Sequence, residues 1–431
     1  MNLRTLFVPA TLVVLGLTGA TLAFLLDSYS LLVLTLVALT AVVGVGLNIL
    51  IGLSGQISFG HVAFYGIGAY ASALLTIAGV PFALAVPMAG LLTALVGALL
   101  AIPAVRVSGP YLAMVTIAFG FIIHHGMMEW RSVTGGANGL MGIPSPEIGT
   151  LSPNVGLALV AVALMVAAFA FYYRLFRSGW GRAIRAVKSS EIAGRSMGFN
   201  PLYTKTLAFS LSAMFAGIAG ALLAPLMMFI SPESFPFTQS ILFVLAVIVG
   251  GAGTVFGPML GAALIVLVPE MLSSMAEMRL LFFAGVLLGV LWILGAIQKR
   301  WGRTEREVPA RSPDLALLKP FLTCDADAPE GLRVKDIGIR FGGVQAAEKV
   351  SFTAAPGSVT SIIGPNGAGK TTVLNMISGF YAPDAGSIEL NSHLEGLPAW
   401  KIARAGVART YQTTQLFTEM SVLENLLAGM Q

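Results

Sequence analysis

A chain of 431 residues that is 56% apolar and only 10% charged has too few polar side chains for a soluble globular protein, and its mean hydropathy of +0.85 agrees. The formal charge of +5 does not argue for nucleic acid, because Arg174, Arg177, Arg182, Arg185 and Lys188 sit beside long apolar runs, as cytoplasmic membrane loops do. One cysteine, Cys324, excludes an intrachain disulfide framework and a multi-cysteine metal site.

The opening MNLRTLFVPATLVVLGLTGATLAF has the charged start and apolar middle of a signal peptide. Further apolar segments follow it, so it reads as an uncleaved first span. Spans long enough to cross the hydrocarbon core are expected at 6–26, 31–51, 60–79, 82–102, 111–128, 155–173, 206–229, 240–268 and 280–297. The loop from Arg174 to Lys205 is basic, as is QKRWGR after the last span, so both belong on the cytoplasmic side. If 206–229 runs outward and 280–297 returns, 240–268 must begin and end outside. Its middle, VGGAGTVFGPMLG, gathers Gly250, Gly251, Gly253, Gly257 and Pro258. Such backbone is tolerated at membrane depth only when packed in protein or lining a cavity, so a re-entrant hairpin or two short spans is expected there. Counting back puts Arg106 inside, the 129–153 loop outside, and the N-terminus with Arg4 inside.

Small residues recur within the spans, as in GIGAY at 66–70 and AGIAGA at 216–221, where they let helices approach closely. Polar side chains are scarce. Asn48, Gln56 and His61 each need a partner in lipid and, with Asn138 in the outer loop, are candidates for a translocation path. His124 and His125 fit an interfacial position near the outer face equally well.

The stretch 299–330 is polar and proline-containing, suited to a tether between domains. A tether raises the local concentration of what it carries. From Gly331 the pattern is that of a different domain. The run VTSII at 359–363 reads as a buried strand, GPNGAGKTT at 364–372 as a phosphate-binding loop, and TTVLNMISGF as the helix after it. Gly364, Gly367 and Gly369 let backbone amides curl around phosphates, with Pro365, Asn366 and Ala368 between them. Lys370 supplies a point charge for the β- and γ-phosphates, Thr371 a hydroxyl for Mg²⁺, and Thr372 continues the loop into the helix. The helix N-terminus adds a favourable dipole. ATP and Mg²⁺ are the expected cofactors.

The loop GPNGAGKTT, with SGFYAPDAGSIEL and VARTYQTTQLFTEMSVLENL after it, resembles the ATPase of ABC transporters, in its branched-chain amino acid importer branch. The resemblance implies that Gln412 is the glutamine that senses Mg²⁺ and faces the membrane partner, and that Phe341 stacks on adenine. The membrane half resembles the inner-membrane permease of the same family. The matching pieces are GLNILIGLSGQISFGHVAFYGIGAYASAL, TGGANGLMGIP, the long segment from Arg177 to Leu222, and ILFVLAVIVGGAGTVFGPMLGAALIVLVPE. Within them AVKSSEIAGRSMGFN reads as a short amphipathic helix that Gly194 and Gly198 would let turn. The resemblance makes it the coupling helix that docks on the ATPase, with Glu191, Ala193 and Gly198 at family positions, although Ile192 and the glycine spacing depart from the pattern. A solvated basic loop that only fixes topology is the competing reading of that segment.

No LSGGQ-type signature, no apolar strand ending in Asp-Glu and no switch histidine occurs in the sequence, which ends at ENLLAGMQ. The sequence as given is therefore expected not to hydrolyse ATP alone, whether it is a fragment of a longer fusion or a truncated chain. The expected fold is a multi-pass α-helical membrane domain over 1–298, a linker over 299–330, and a partial α/β P-loop ATPase domain over 331–431. The resemblance implies ATP-driven uptake of branched-chain amino acids across the bacterial inner membrane, with the ATPase part cytoplasmic. Its implied partners are a second permease subunit, an ABC ATPase subunit, a periplasmic substrate-binding protein and membrane lipid. A urea or short-amide importer of the same superfamily, an ABC exporter and a membrane-anchored P-loop regulator are the alternatives.

Overall fold

The computed structural model describes residues 3–107, 109–146, 149–271, 284, 285, 288, 289, 292, 331–411 and 416–429. The expected span at 280–297 falls largely outside these, and the tether 299–330 and Gln412 fall wholly outside. The chain divides into two compact units, Met1–Lys188 with Leu202–Arg300, and Ser189–Pro201 with Trp301–Gln431. Residues 189–201, which interrupt the first unit in sequence, group with the second.

The long apolar segments of the first unit are helical because lipid offers no partner for a free backbone amide. Its elements are α1 (Leu3–Leu25), α2 (Ser28–Leu47), α3 (His61–Ile77), α4 (Phe82–Ala104), α5 (Pro110–Glu129), α6 (Arg131–Thr134), α7 (Pro153–Arg177), α8 (Gly179–Ser189), α10 (Pro201–Met227), α11 (Phe237–Gly250) and α12 (Gly257–Met271). Between α8 and α10 the chain forms α9 (Glu191–Ser196), part of the second unit. Among the described residues, seven helices are long and apolar enough to cross a membrane, and α3 and α12 are shorter apolar helices.

Helix α2 is apolar on every face and occupies the centre, buried without a break from Ala38 to Leu47 and packed on α7, α11 and α12. Asp27 caps its start by accepting from the amides of Tyr29 and Ser30. It continues into a π-helical turn, Asn48–Leu53. The two small-residue runs read from the sequence meet each other. A Cβ on Gly68 of α3 would run into the Gly217 carbonyl of α10, and one on Gly220 into that of Tyr65. On its other side Gly217 lies against Thr93 of α4.

The segment expected at 240–268 is indeed not one helix. α11 and α12 have 14 and 15 residues, roughly 21–23 Å each at 1.5 Å per residue, and α11 counts among the seven only together with the turn before it, as Pro232–Gly250. They turn through Gly251 (φ 101°) and Gly253 (φ 84°) and pack side by side, since a Cβ on Gly261 would meet the Ala246 carbonyl. Two ties join segments that the sequence puts on the outer side. Tyr29 at the start of α2 hydrogen-bonds Glu270 near the end of α12. Strand β1 (Leu140–Met141) pairs antiparallel with β2 (Phe229–Ile230), Leu140 opposite Ile230.

In the second unit, β3 (Leu332–Phe341), β4 (Val344–Ala354) and β5 (Ala385–Glu389) form an antiparallel sheet in the order β4-β3-β5. Helices α13 (Lys370–Ile377), α14 (Ala399–Arg404) and α15 (Val422–Gly429) complete it. Val334, Ile337 and Ile339 of β3 and Ile388 of β5 share a core with Val373, Met376 and Ile377 of α13 and Ile402 of α14. The expected strand at 359–363 is corrected here. Among the described residues no strand lies beside it, and Val359 and Ile363 are 95% and 89% exposed. An apolar run becomes a core strand only when neighbours supply ladder hydrogen bonds and cover both its faces.

Candidate functional site

The four translocation-path candidates share no hydrogen-bond partner with one another. The Asn48 carboxamide bridges to the hairpin turn, accepting from the Gly253 amide at 2.7 Å and donating to the Thr254 carbonyl at 2.8 Å. Gln56 is buried and donates to Ser54 Oγ at 2.7 Å, while its own side-chain oxygen has no protein partner. His61 is fully buried between Ser58 Oγ at 3.1 Å and Ser212 Oγ at 2.7 Å, joining the start of α3 to α10. Asn138 stays exposed on a 3₁₀ turn of the outer loop. His124 and His125 lie edge to face, and His124 borders a cavity of about 70 Å³ with Phe121, Phe235 and Phe237.

In the second unit the phosphate-loop residues are exposed from Gly364 to Ala368, and Gly369 and Lys370 are half-buried at the head of α13. Gly367 (φ 88°) and Gly369 (φ 79°) both hold left-handed backbone, and a Cβ on Gly369 would run into the Ala346 carbonyl. The cradle therefore needs glycine at these positions. The Lys370 ammonium donates to the carbonyls of Gly364 and Pro365, at 2.8 and 2.7 Å, inside the loop it would share with a phosphate. Thr371 is exposed and Thr372 half-buried beside it. These donors and the open helix start fit a polyphosphate. No group of three or more acidic, His or Cys side chains that could hold a metal occurs among the described residues. Phe341 ends β3, 45% exposed, with its ring edge-on to Tyr381 at 5.1 Å.

The coupling-helix candidates fold as sequence and local chemistry dictate. Ser190 caps α9 by accepting from the Ala193 amide at 3.2 Å. Glu191 and Arg195 pair one turn apart. At the other end the Phe199 amide donates to Gly194 and the Gly198 amide to Arg195, both across a left-handed Gly198 (φ 83°). This is a Schellman cap with glycine at its required position. The expected turn at Gly194 is corrected: Gly194 lies inside α9, buried, and only Gly198 turns.

Helix α9 packs on α14. Ala193, Ser196, Met197 and Gly198 form one wall of a cavity of about 610 Å³ whose other wall is Arg404 and the segment from Gly406 to Tyr411. The hydroxyls of Ser196 and Tyr411 hydrogen-bond each other. Arg404 stacks on Trp400. Arg409 lies over the edge-to-face pair of Phe380 and Tyr411 and donates to the Leu374 carbonyl and to Ser378 Oγ, at 3.2 and 3.0 Å. The wall of the groove is thus fastened to α13, whose first residue is Lys370.

Sequence reading missed Ser196, Tyr411, Arg404 and Arg409 as parts of this groove. The signal available was the position of Thr410 and Tyr411 directly before Gln412, beside an arginine with no acidic neighbour. It also took Lys188 only as a topology charge, whereas its ammonium donates to the Gly52 carbonyl at 3.0 Å.

A family model described as the branched-chain amino acid transport system permease component matches residues 29–291, and one described as ABC transporter matches residues 347–431. The high-affinity branched-chain amino acid transport system permease protein LivM of Salmonella typhimurium is 36% identical over 316 residues, covering 67% of this chain and 73% of that relative. LivM of Escherichia coli is 38% identical over 285 residues, 60% of this chain and 67% of the relative. The high-affinity branched-chain amino acid transport ATP-binding protein LivG of Escherichia coli is 54% identical over 99 residues, 23% of this chain and 39% of that relative. The chain therefore spans about two fifths of the length of the ATP-binding relatives it matches.

Proposed function

The chain belongs to the family of branched-chain amino acid transport system permease components, and from that premise we propose that it is the permease of an ABC importer joined to the front of its ATP-binding partner. Its substrates are branched-chain amino acids. Residues 1–298 form the multi-pass membrane domain, 299–330 the tether, and 331–431 the N-terminal part of an ATPase domain. A bacterial inner-membrane location with the second unit in the cytoplasm follows from the basic loops and from where ATP is available. A second permease subunit, an ABC ATPase subunit and a periplasmic binding protein complete the transporter.

The observation that carries this reading is the groove around α9. Helix α9, which lies between α8 and α10 in sequence, belongs to the nucleotide-binding unit, where it packs on α14 and bonds Tyr411. Arg409 connects the same wall to α13. Nucleotide held by Gly364–Thr372 and Lys370 would bias the position of α13, and through Arg409 and Tyr411 the position of α9. A ligand that favours one arrangement of that chain of contacts shifts the membrane helices toward it. Mg²⁺ carried in with the nucleotide would neutralise phosphate charge at Thr371.

The test is uptake of labelled leucine into proteoliposomes holding this chain with its partner subunits and binding protein. Uptake should need ATP inside the compartment the second unit faces and should vanish on deleting residues 30–298. Uptake of labelled urea in place of leucine points to the amide-importer branch. Leucine uptake that survives the deletion removes the permease reading.

A further inference from the structure

One buried carboxamide joins the central helix to the only described turn between α11 and α12. Asn48 is wholly buried and opens the π-helical turn Asn48–Leu53. Its side chain meets one donor and one acceptor of the turn, Gly253 N and Thr254 O. None of the residues from Gly251 to Phe256 is fully buried, although Val255 and Phe256 pack in part against the core and Phe256 stacks on Phe169. The turn is braced within itself by Thr254, which donates to the Gly251 carbonyl and accepts from the Gly257 amide. Asn48 attaches that braced unit to α2.

The same π turn is gripped from its other end. A Cβ on Gly52 would come within 2.5 Å of the Gly253 amide nitrogen, so the two backbones lie directly against each other. The Gly52 carbonyl accepts from the Lys188 ammonium at 3.0 Å, and the Lys188 stem lies against Gly55. Lys188 is near the end of α8, two residues before Ser190, the cap of α9. A series of contacts therefore runs from Lys188, near the end of α8, through Gly52 and Asn48 to the hairpin turn.

A π turn holds one residue more than an α turn and is weakly bonded, so it can exchange register with α geometry. At 3.6 residues per turn, a one-residue shift swings a side chain by about 100° around the helix, enough to take Asn48 off the hairpin.

We propose that Lys188 and Asn48 are positioning residues for transport, forming a relay in which movement near the end of α8 changes the register of the π turn and so attaches or releases the α11–α12 turn. The relay deepens the importer reading and rests on it for its purpose.

The test uses the full chain with its partner subunits in lipid nanodiscs and reads hydrogen–deuterium exchange of the amides from Gly251 to Phe256. Asn48→Leu should raise exchange there at least fivefold. Lys188→Met, which removes the ammonium that bonds the Gly52 carbonyl, should raise it by a similar factor, and Lys188→Arg should restore it. The double variant should add nothing to Asn48→Leu. Wild-type exchange at the turn in Lys188→Met, or no recovery with Lys188→Arg, overturns the relay. If Asn48→Leu does not assemble, the Lys188 pair decides the question alone. In the same complexes, Lys188→Met should lower leucine uptake per ATP consumed while nucleotide affinity stays unchanged. A wild-type complex whose turn responds to Lys188 but which takes up no leucine leaves the relay standing and removes the importer reading. The converse result removes only the relay.

Discussion

Gly198 offers a sharp perturbation of the docking helix. Its φ of 83° is left-handed, and the Schellman cap of α9 depends on it. An L-residue with a Cβ costs about 1–2 kcal/mol in that conformation. The added Cβ would also lie 3.2 Å from Arg404 Cγ, but that is the flexible part of a long side chain and can give way. The conformational cost therefore decides the outcome. Gly198→Ala should weaken the cap by about 1–2 kcal/mol, which shifts its local opening equilibrium roughly 5- to 30-fold. Gly198→Asn should lose less, because a short polar side chain tolerates left-handed backbone. The direct assay is hydrogen exchange at the Phe199 amide, which bonds to Gly194 across the cap. Protection should fall in the order glycine, asparagine, alanine, and leucine uptake should follow it. Equal protection in all three would refute the reasoning, as would a larger loss for asparagine than for alanine.

Lys370→Met removes a charged donor from the phosphate loop, and hydrogen bonds to charged groups contribute about 1.5–3 kcal/mol. Affinity for a fluorescent ATP analogue should fall roughly 10- to 100-fold, and unchanged affinity contradicts the assignment of the loop. Gly217→Val inserts methyl groups against Thr93 and Gly68, an overpacking cost of about 1–3 kcal/mol that should lower the thermal midpoint in detergent. Gly126→Ala, where a Cβ meets nothing within 4 Å, should leave that midpoint nearly unmoved. Partial burial acts to raise the pKa of Glu395, but backbone amides, including that of Ile388, and nearby His393 outweigh it and hold the carboxyl below its ordinary 4.5. Its contribution to stability is present above 4.5 and is lost as pH falls through the lower folded value, so Glu395→Gln should flatten the acid side of the unfolding curve followed by Trp400 fluorescence.

What the sequence disclosed, and what it hid, divides along physical lines. The spans were legible because lipid imposes a length and a polarity that short windows detect. The break near Gly251 was legible twice, from the glycines and from the parity of basic loops, and two independent constraints agreed there. GIGAY and AGIAGA announced close packing, and their pairing with each other followed once α3 and α10 were placed side by side. The phosphate loop was legible because cradling a phosphate constrains residue type at Gly364, Gly369, Lys370 and Thr371, at fixed spacing. Other features depend on partners far along the chain. Asn48 reads as an isolated polar residue until Gly253, some two hundred positions away, is brought against it. The π turn leaves no periodic trace, because after Asn48 the residues Ile49 to Leu53 carry no polar side chain. The run 359–363 misled because an apolar run states only a need for burial, and its neighbours decide whether a sheet meets it. Gly194 misled for a similar reason: glycine permits a turn but does not require one, and the Ser190 cap carried the helix through it.

The account stands on α9 and the nucleotide-binding unit lying on the same face of the bilayer, opposite the loop after α5. With Cys324 replaced by serine, single cysteines at Ser132, Ile192 and Ser392 can be labelled by a membrane-impermeant maleimide in sealed vesicles of known orientation. The prediction is that Ile192→Cys and Ser392→Cys react from one side and Ser132→Cys from the other. Labelling of Ile192→Cys and Ser392→Cys from opposite sides would contradict it.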